Sequence, residues 1–173
     1  ADVEKEMPVM LAQKHQIKHL VVASSQQAVY DLGEQLRKLA KARRGRKGKR
    51  DLVVGTFFSG VVRSSSGKFV RDRESNGGKT DAAMLEDSDI IVCCCKFLAG
   101  WDEWRVCSVF LCRRVVSEEL LQQVLARATR ARIGTGKCRP LVFDLANHPD
   151  DVSAAVGPFF RRWRVGCLME VLE

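Results

Sequence analysis

From residue 18 onward, short apolar runs alternate with amphipathic stretches. Residues 18–23, 52–58, 89–95, 106–111 and 140–145 are brief and rich in Val, Ile, Leu, Phe and Cys. Runs of that length without strict polar alternation read as strands buried on both faces. Between them, apolar residues recur at helical spacing. Ala28, Leu32 and Leu36 mark a helix from Ser25 to about Leu39, and Leu120, Leu121, Val124, Leu125 and Ala128 mark one over 117–131, capped by Ser117. A short helix is expected near 81–86 and a closing one over 150–163. Residues 1–16 read as a lead-in helix that Pro8 interrupts. Residues 59–80, rich in Ser, Gly and charge, read as a long irregular connection. Alternating strands and helices predict one α/β domain over 17–173, a parallel sheet flanked by helices. No internal repeat is present.

The chemistry concentrates in residues 118–130. Gln123, Arg127 and Arg130 stand four and three apart, so one helix would carry all three on one face. Two guanidinium groups aimed at one point suit a polyanion such as a triphosphate, and a solvated basic face is the plainer reading. Upstream, the strand over 89–95 runs into Lys96-Phe97-Leu98-Ala99-Gly100-Trp101-Asp102, a loop with a glycine and a carboxylate. Ligand sites in open α/β sheets form outside strand carboxyl ends. Asp102 and the arginine pair are therefore expected to meet at one edge of the sheet.

At these residues the chain resembles superfamily 2 helicases. Gly100-Trp101-Asp102 is similar to motif V, and Gln123 through Arg130 to motif VI, Gln-x-x-x-Arg-x-x-Arg. The closer resemblance is to the motor subunit of type I restriction enzymes. Residues 18–25 are similar to motif IV, Phe58-Ser59-Gly60 to that family's strand end, and residues 141–152 to its closing strand, Asp-x-x-Asn turn and following helix. Together these stretches cover about residues 17–163. Three features depart from the family: Ala99 in place of threonine, Ala126 in place of glycine, and an insertion or unusually basic loop over about 37–50. The resemblance implies a RecA-like sheet, the second of two motor lobes. ATP and Mg²⁺ would then be held mainly by a first lobe on the same or another chain. Arg127 and Arg130 would act as arginine fingers, Gln123 would orient the attacking water or γ-phosphate, and Asp102 would accept from a ribose hydroxyl or couple lobe closure to hydrolysis. Gly100 would allow close approach to the nucleotide. Ser24 and Ser25 would touch a nucleic-acid backbone, with DNA the expected track over RNA.

Composition narrows the setting. The chain has 173 residues, 46% of them hydrophobic, and no apolar run near 18 residues, so no membrane span is expected. Residues 1–16 are charged and lack the continuous apolar core of a signal peptide. Seven cysteines without paired metal spacing suggest an intracellular, reducing compartment. Cys93, Cys94 and Cys95 are contiguous on a predicted strand, so they alternate faces and are expected as buried thiols. The net charge is +8. Arg37, Lys38, Lys41, Arg43, Arg44, Arg46, Lys47, Lys49 and Arg50 lie together without an acid among them and account for the whole excess. This tract, with Arg43, Arg44, Arg46 and Lys47 at its centre, suits phosphate-backbone contact, but equally a solvated loop or a nuclear-localisation-like segment. No aromatic residue interrupts it, so base stacking there is unsupported.

Several motifs fail on inspection. Gly77-Gly78-Lys79-Thr80 ends like a phosphate loop, but Arg73 holds its required glycine position. Gly134-Thr135-Gly136-Lys137 has Ala131 at that position and Cys138 where a hydroxyl should bind magnesium. Asp102-Glu103 lies in the loop, not at the end of an apolar strand, and so is not an acidic box. His15, His19 and His148 show no catalytic or metal-binding partners. A chain with neither phosphate loop nor acidic box does not hold Mg²⁺-ATP alone in the usual way. Two rivals to a motor lobe follow: a non-catalytic RecA-like scaffold, and an RNA-binding protein using 37–50 with Arg161-Arg162-Trp163-Arg164.

Overall fold

A computed structural model describes residues 16–43, 51–97, 101–115, 117–130, 141–148, 150 and 152. In chain order the elements are β1 (Lys18–Ala23), α1 (Gln26–Ala42), β2 (Val54–Phe57), β3 (Val62–Arg63), β4 (Phe69–Val70), α2 (Asp72–Ser75), α3 (Asp81–Asp87), β5 (Ile90–Cys93), β6 (Val106–Cys112), α4 (Glu118–Thr129) and β7 (Leu141–Asp144). Five strands form one parallel sheet in the order β2-β5-β1-β6-β7, with helices flanking it, consistent with a RecA-like α/β fold. β3 and β4 form a separate two-stranded sheet. Burial follows from that architecture: β2 is buried at every position and β1 and β5 at all but one, as strands covered on both faces require. Each buried Val, Leu or Phe contributes about 1.5–3 kcal/mol of transfer free energy. The chain divides into two compact units, residues 20–97 and residues 1–19 with 98–173.

In the unit of residues 20–97, Ser25 starts α1 by accepting the Ala28 N–H at 3.1 Å. The buried face of α1 centres on Val29 and Gly33, one residue along from the expected Ala28 and Leu32. A Cβ on Gly33 would lie 2.1 Å from Thr56 Cγ2, so only glycine lets the helix approach β2 this closely. The helix also runs past Leu39 to Ala42, which corrects the reading of 37–50 as a loop: Arg37, Lys38 and Lys41 are helical. β2 begins at Val54, not at residue 52, and Leu52 stands exposed. β5 ends at Cys93.

Residues 59–80, expected to be irregular, hold the β3–β4 hairpin and α2. The hairpin pairs Val62 with Val70 and Arg63 with Phe69. Gln27 on α1 anchors it like a third strand, donating to the Arg63 carbonyl at 2.8 Å and accepting the Arg63 N–H at 3.0 Å. Neither device leaves an apolar period to read. Gly77 and Gly78 both have positive φ and turn the chain out of α2, and Thr80 caps α3. The phosphate-loop look-alike at 77–80 is therefore a turn and a cap.

In the other unit, β6 and β7 pair in parallel from Ser108↔Leu141 to Leu111↔Asp144. Their neighbouring rings Phe110 and Phe143 stack at 4.6 Å between centroids. The lead-in helix over 1–16 lies outside the described residues but for Gln16, and the closing helix over 150–163 but for 150 and 152. Among the described residues, no helix is long and apolar enough to cross a membrane.

Candidate functional site

Helix α4 begins at Ser117, whose hydroxyl accepts the Leu120 N–H at 3.3 Å. Leu121, Val124, Leu125 and Ala128 bury one face. Because β6 and β7 are parallel, the helix joining them returns antiparallel, which carries its C-terminal end back to the start of β6. There Arg127 Nη1 donates to the Trp101 carbonyl, and Arg130 Nη1 donates to Asp102 Oδ1. The structure thus brings Asp102 and both arginines together, but at the amino-terminal end of β6, not outside a strand's carboxyl end.

The side chains of Gln123, Arg127 and Arg130 are not equivalent. Arg130 is the C-cap of α4, with a backbone already out of the helix (φ −58°, ψ 119°), which corrects its placement on the helical face. Arg127 is only 6% exposed. Gln123 is exposed to solvent. Burial first, and then the nearby Arg130 charge, lower the pKa of Arg127 below the ordinary arginine value, with Asp102 offsetting part of the shift. The Arg130 and Asp102 side chains are 34% and 84% exposed. An exposed ion pair of that kind holds with about 1 kcal/mol or less. Asp102 is therefore a weak hold on Arg130, open to exchange for another anion from solvent.

The neighbouring Glu103 does different work. It is 7% exposed and holds Arg105 through Oε1 at 2.8 Å and Oε2 at 2.6 Å, and it also accepts the Arg105 N–H at 3.0 Å. Its charge is spent on shaping the turn into β6. Among the described residues, no group of three or more His, Cys, Asp or Glu could hold a metal ion. The two guanidinium groups of Arg127 and Arg130 are a donor set of the kind that takes an anion such as a phosphate.

A second arrangement, a turn that the sequence reading named without foreseeing its contacts, holds the approach to α4. Asp144 at the end of β7 accepts the N–H groups of Ala146 and Asn147 and the Asn147 amide. Asn147 in turn accepts the Val115 N–H at 2.6 Å and donates to the Arg113 carbonyl at 3.2 Å. The Asp-x-x-Asn turn is thus a clamp on residues 113–115, the connection from β6 into α4. Its only sequence signal was the spacing of those two residues.

The remaining expectations divide. Ser24 and Ser25 are exposed at the end of β1, and Ser25 Oγ is engaged in capping α1. Arg43 is exposed and caps the C-terminus of α1 with its N–H. Gly100, Arg44, Arg46 and Lys47 lie outside the described residues, as do Arg161, Arg162, Trp163 and Arg164. Arg37 is taken up by structure: it donates to the Val54 carbonyl, Thr56 Oγ1, Ser75 Oγ and Asn76 Oδ1 at 3.1–3.2 Å. A cleft of about 370 Å³ lies beside it, lined also by Lys41 and Lys79. Lys79 pairs there with Asp87 at 2.7 Å, so the cleft is not a built anion site.

Five of the cysteines lie among the described residues, all as thiols. Cys93 and Cys94 are buried, whereas Cys95 is exposed, which corrects the expectation of three buried thiols. Burial first, then Asp144, push the Cys112 thiol above its ordinary pKa. His19 Nδ1 lies 2.7 Å from Ser108 Oγ, and His148 lies 3.4 Å from an Asp150 oxygen on the surface. Compared with known proteins, the chain matches no family model and no curated protein.

Proposed function

We propose that this chain is the second motor lobe of an ATP-dependent nucleic-acid helicase or translocase. The observation that carries the reading is the convergence of Arg127 and Arg130 on the Trp101–Asp102 loop. Two guanidinium groups at one helix end, one of them held by an exposed and easily exchanged carboxylate, suit a polyphosphate approaching from solvent. ATP and its Mg²⁺ belong mainly to a first lobe carrying the phosphate loop and acidic box, on the same or another polypeptide. The metal neutralises phosphate charge there. Arg130 leaves Asp102 for the γ-phosphoryl oxygens, and Arg127, stiffened by its carbonyl contact, supplies the second positive charge. Fingers of this kind are worth on the order of 10³-fold or more in rate. Asp102, once released, accepts from a ribose hydroxyl. Gln123, exposed one turn before Arg127, reaches the attacking water. Ser24 lies against the nucleic-acid backbone, with DNA the favoured track.

One observation favours a rival. Arg127 is buried and engaged with its own chain's backbone, as in a RecA-like scaffold that keeps the residue for packing. Turnover separates the two. ATP hydrolysis by the two-lobe protein is measured with duplex DNA, single-stranded DNA and RNA, beside Arg130→Ala and Arg127→Ala. The motor reading expects stimulated turnover that falls at least a hundredfold in Arg130→Ala while the fold survives. Stimulation unchanged in both variants would sink the finger assignment, and no turnover in any form would leave the scaffold.

A further inference from the structure

The outward face of the β3–β4 hairpin has no part in the site above, and its composition is unusual for a solvated surface. Antiparallel register sets Arg63 directly opposite Phe69, and residues two apart share a face. Val61 and Arg71 therefore join Arg63 and Phe69 on one side, while Val62 turns inward and is buried. On the outward side Phe69 is 70% exposed and Val61 49%. Arg63 and Arg71 are exposed as well and form no ion pair among the described residues. Residues 61–71 contain no acid; just beyond them Asp72 is withdrawn by Lys96 at 2.7 Å, and Glu74 is engaged by the Arg71 backbone N–H at 2.9 Å.

The platform is also held firmly. Gln27 binds both backbone groups of Arg63, and the tip closes through Gly67, with φ of 83° and its N–H donated to the Ser64 carbonyl at 2.9 Å. A Cβ on Gly67 would lie 3.7 Å from Arg63 Nη2, so the guanidinium rests over the bare glycine at the tip.

We infer that this face is a base-stacking surface for single-stranded nucleic acid, with Phe69 under a base and Arg63 and Arg71 against the flanking phosphates. An exposed aromatic between two cations, without an acid on its face, is complementary to a splayed strand, whose bases offer apolar faces and whose backbone offers charge. It meets a folded acidic protein surface less well, because such a surface does not alternate flat rings with anions at the spacing a strand does. The inference rests on the motor reading only for the class of track, since binding here requires neither ATP nor a first lobe.

The test uses the full chain and a fluorescent single-stranded oligonucleotide carrying 2-aminopurine, titrated by anisotropy at several salt concentrations. Phe69→Ala is expected to weaken binding about tenfold and abolish quenching of the 2-aminopurine, while Phe69→Trp restores both. Arg63→Ala with Arg71→Ala should lower the salt slope by about 0.7 for each phosphate no longer neutralised. Phe69 is exposed, so these changes leave the unfolding midpoint in place. Wild-type affinity and quenching in Phe69→Ala would overturn the inference and leave the motor reading standing, because Arg130-dependent ATP turnover is read separately. No oligonucleotide binding by the wild-type chain would overturn it too, as would a Phe69→Ala defect confined to self-association in sedimentation, which marks a protein interface.

Discussion

At the scale of single residues, Arg37 shows how charge can mislead. It opens the most basic tract of the chain, yet its guanidinium is half-buried and joins α1 to β2 and to Asn76. Truncation to alanine removes one donor each from the Val54 carbonyl, Thr56 Oγ1 and Asn76 Oδ1, a loss expected to cost about 1–3 kcal/mol. Urea unfolding should show it as a lower midpoint with an unchanged slope. Arg37→Lys should recover little, because an ammonium cannot replace a planar fork that reaches several acceptors at once. Asn147 invites the same experiment. Asn147→Ala strands the Val115 N–H and frees the connection into α4, so it should lower stability by about 1–3 kcal/mol. On the proposed motor reading, it should also reduce stimulated ATP turnover without touching nucleotide. Wild-type stability in Asn147→Ala would refute the clamp.

At the scale of elements, the α1–β2 contact reverses an ordinary rule. Glycine within a helix costs about 1 kcal/mol relative to alanine, so Gly33→Ala would normally stabilise. Here the added methyl meets Thr56 Cγ2 at 2.1 Å, and overpacking of that kind costs about 1–3 kcal/mol. Gly33→Ala should therefore be destabilising, and Thr56→Ser, which removes the opposing methyl, should recover much of the loss in a double-mutant cycle. Additive effects would show that the two positions do not meet. The same contact explains what sequence reading reached and what it missed. Buried strands and the α4 period were legible because burial on two faces demands runs of Val, Ile and Leu. The Val29–Gly33 face was not, since a glycine chosen for close approach has no apolar signal. Arg127 and Arg130 were legible by spacing, but their unequal burial was not, because it depends on where α4 ends relative to the Trp101–Asp102 loop.

At the scale of the whole molecule, Lys96 links pH to stability. Burial pulls its pKa down, but hydrogen bonds and charge from Asp72 and Asp81, at 2.7 Å and 2.6 Å, outweigh that and hold it above the ordinary lysine value. A cation whose pKa rises on folding adds stability that is fully present below its unfolded value and is lost as pH climbs through the folded one. The difference in unfolding midpoint between wild type and Lys96→Met should therefore stay constant from neutral pH to the ordinary lysine range and shrink above it. A difference that grows with alkalinity would contradict the pairing.

One further consequence attaches to Asn76, which precedes Gly77. An asparagine before glycine is chemically short-lived, because the following N–H meets no side chain as it attacks the amide to close a succinimide. In the folded protein that amide is occupied on both ends: Nδ2 donates to the Thr56 carbonyl at 2.7 Å, and Oδ1 accepts from the Thr56 N–H at 3.0 Å and from Arg37. Cyclisation must wait until α2 parts from β2. Slow conversion of Asn76 to aspartate and isoaspartate on storage would thus record how often this corner opens, a molecular clock whose rate Arg37→Ala should quicken. Its products carry a carboxylate facing the Thr56 carbonyl, so each tick would make the next opening easier.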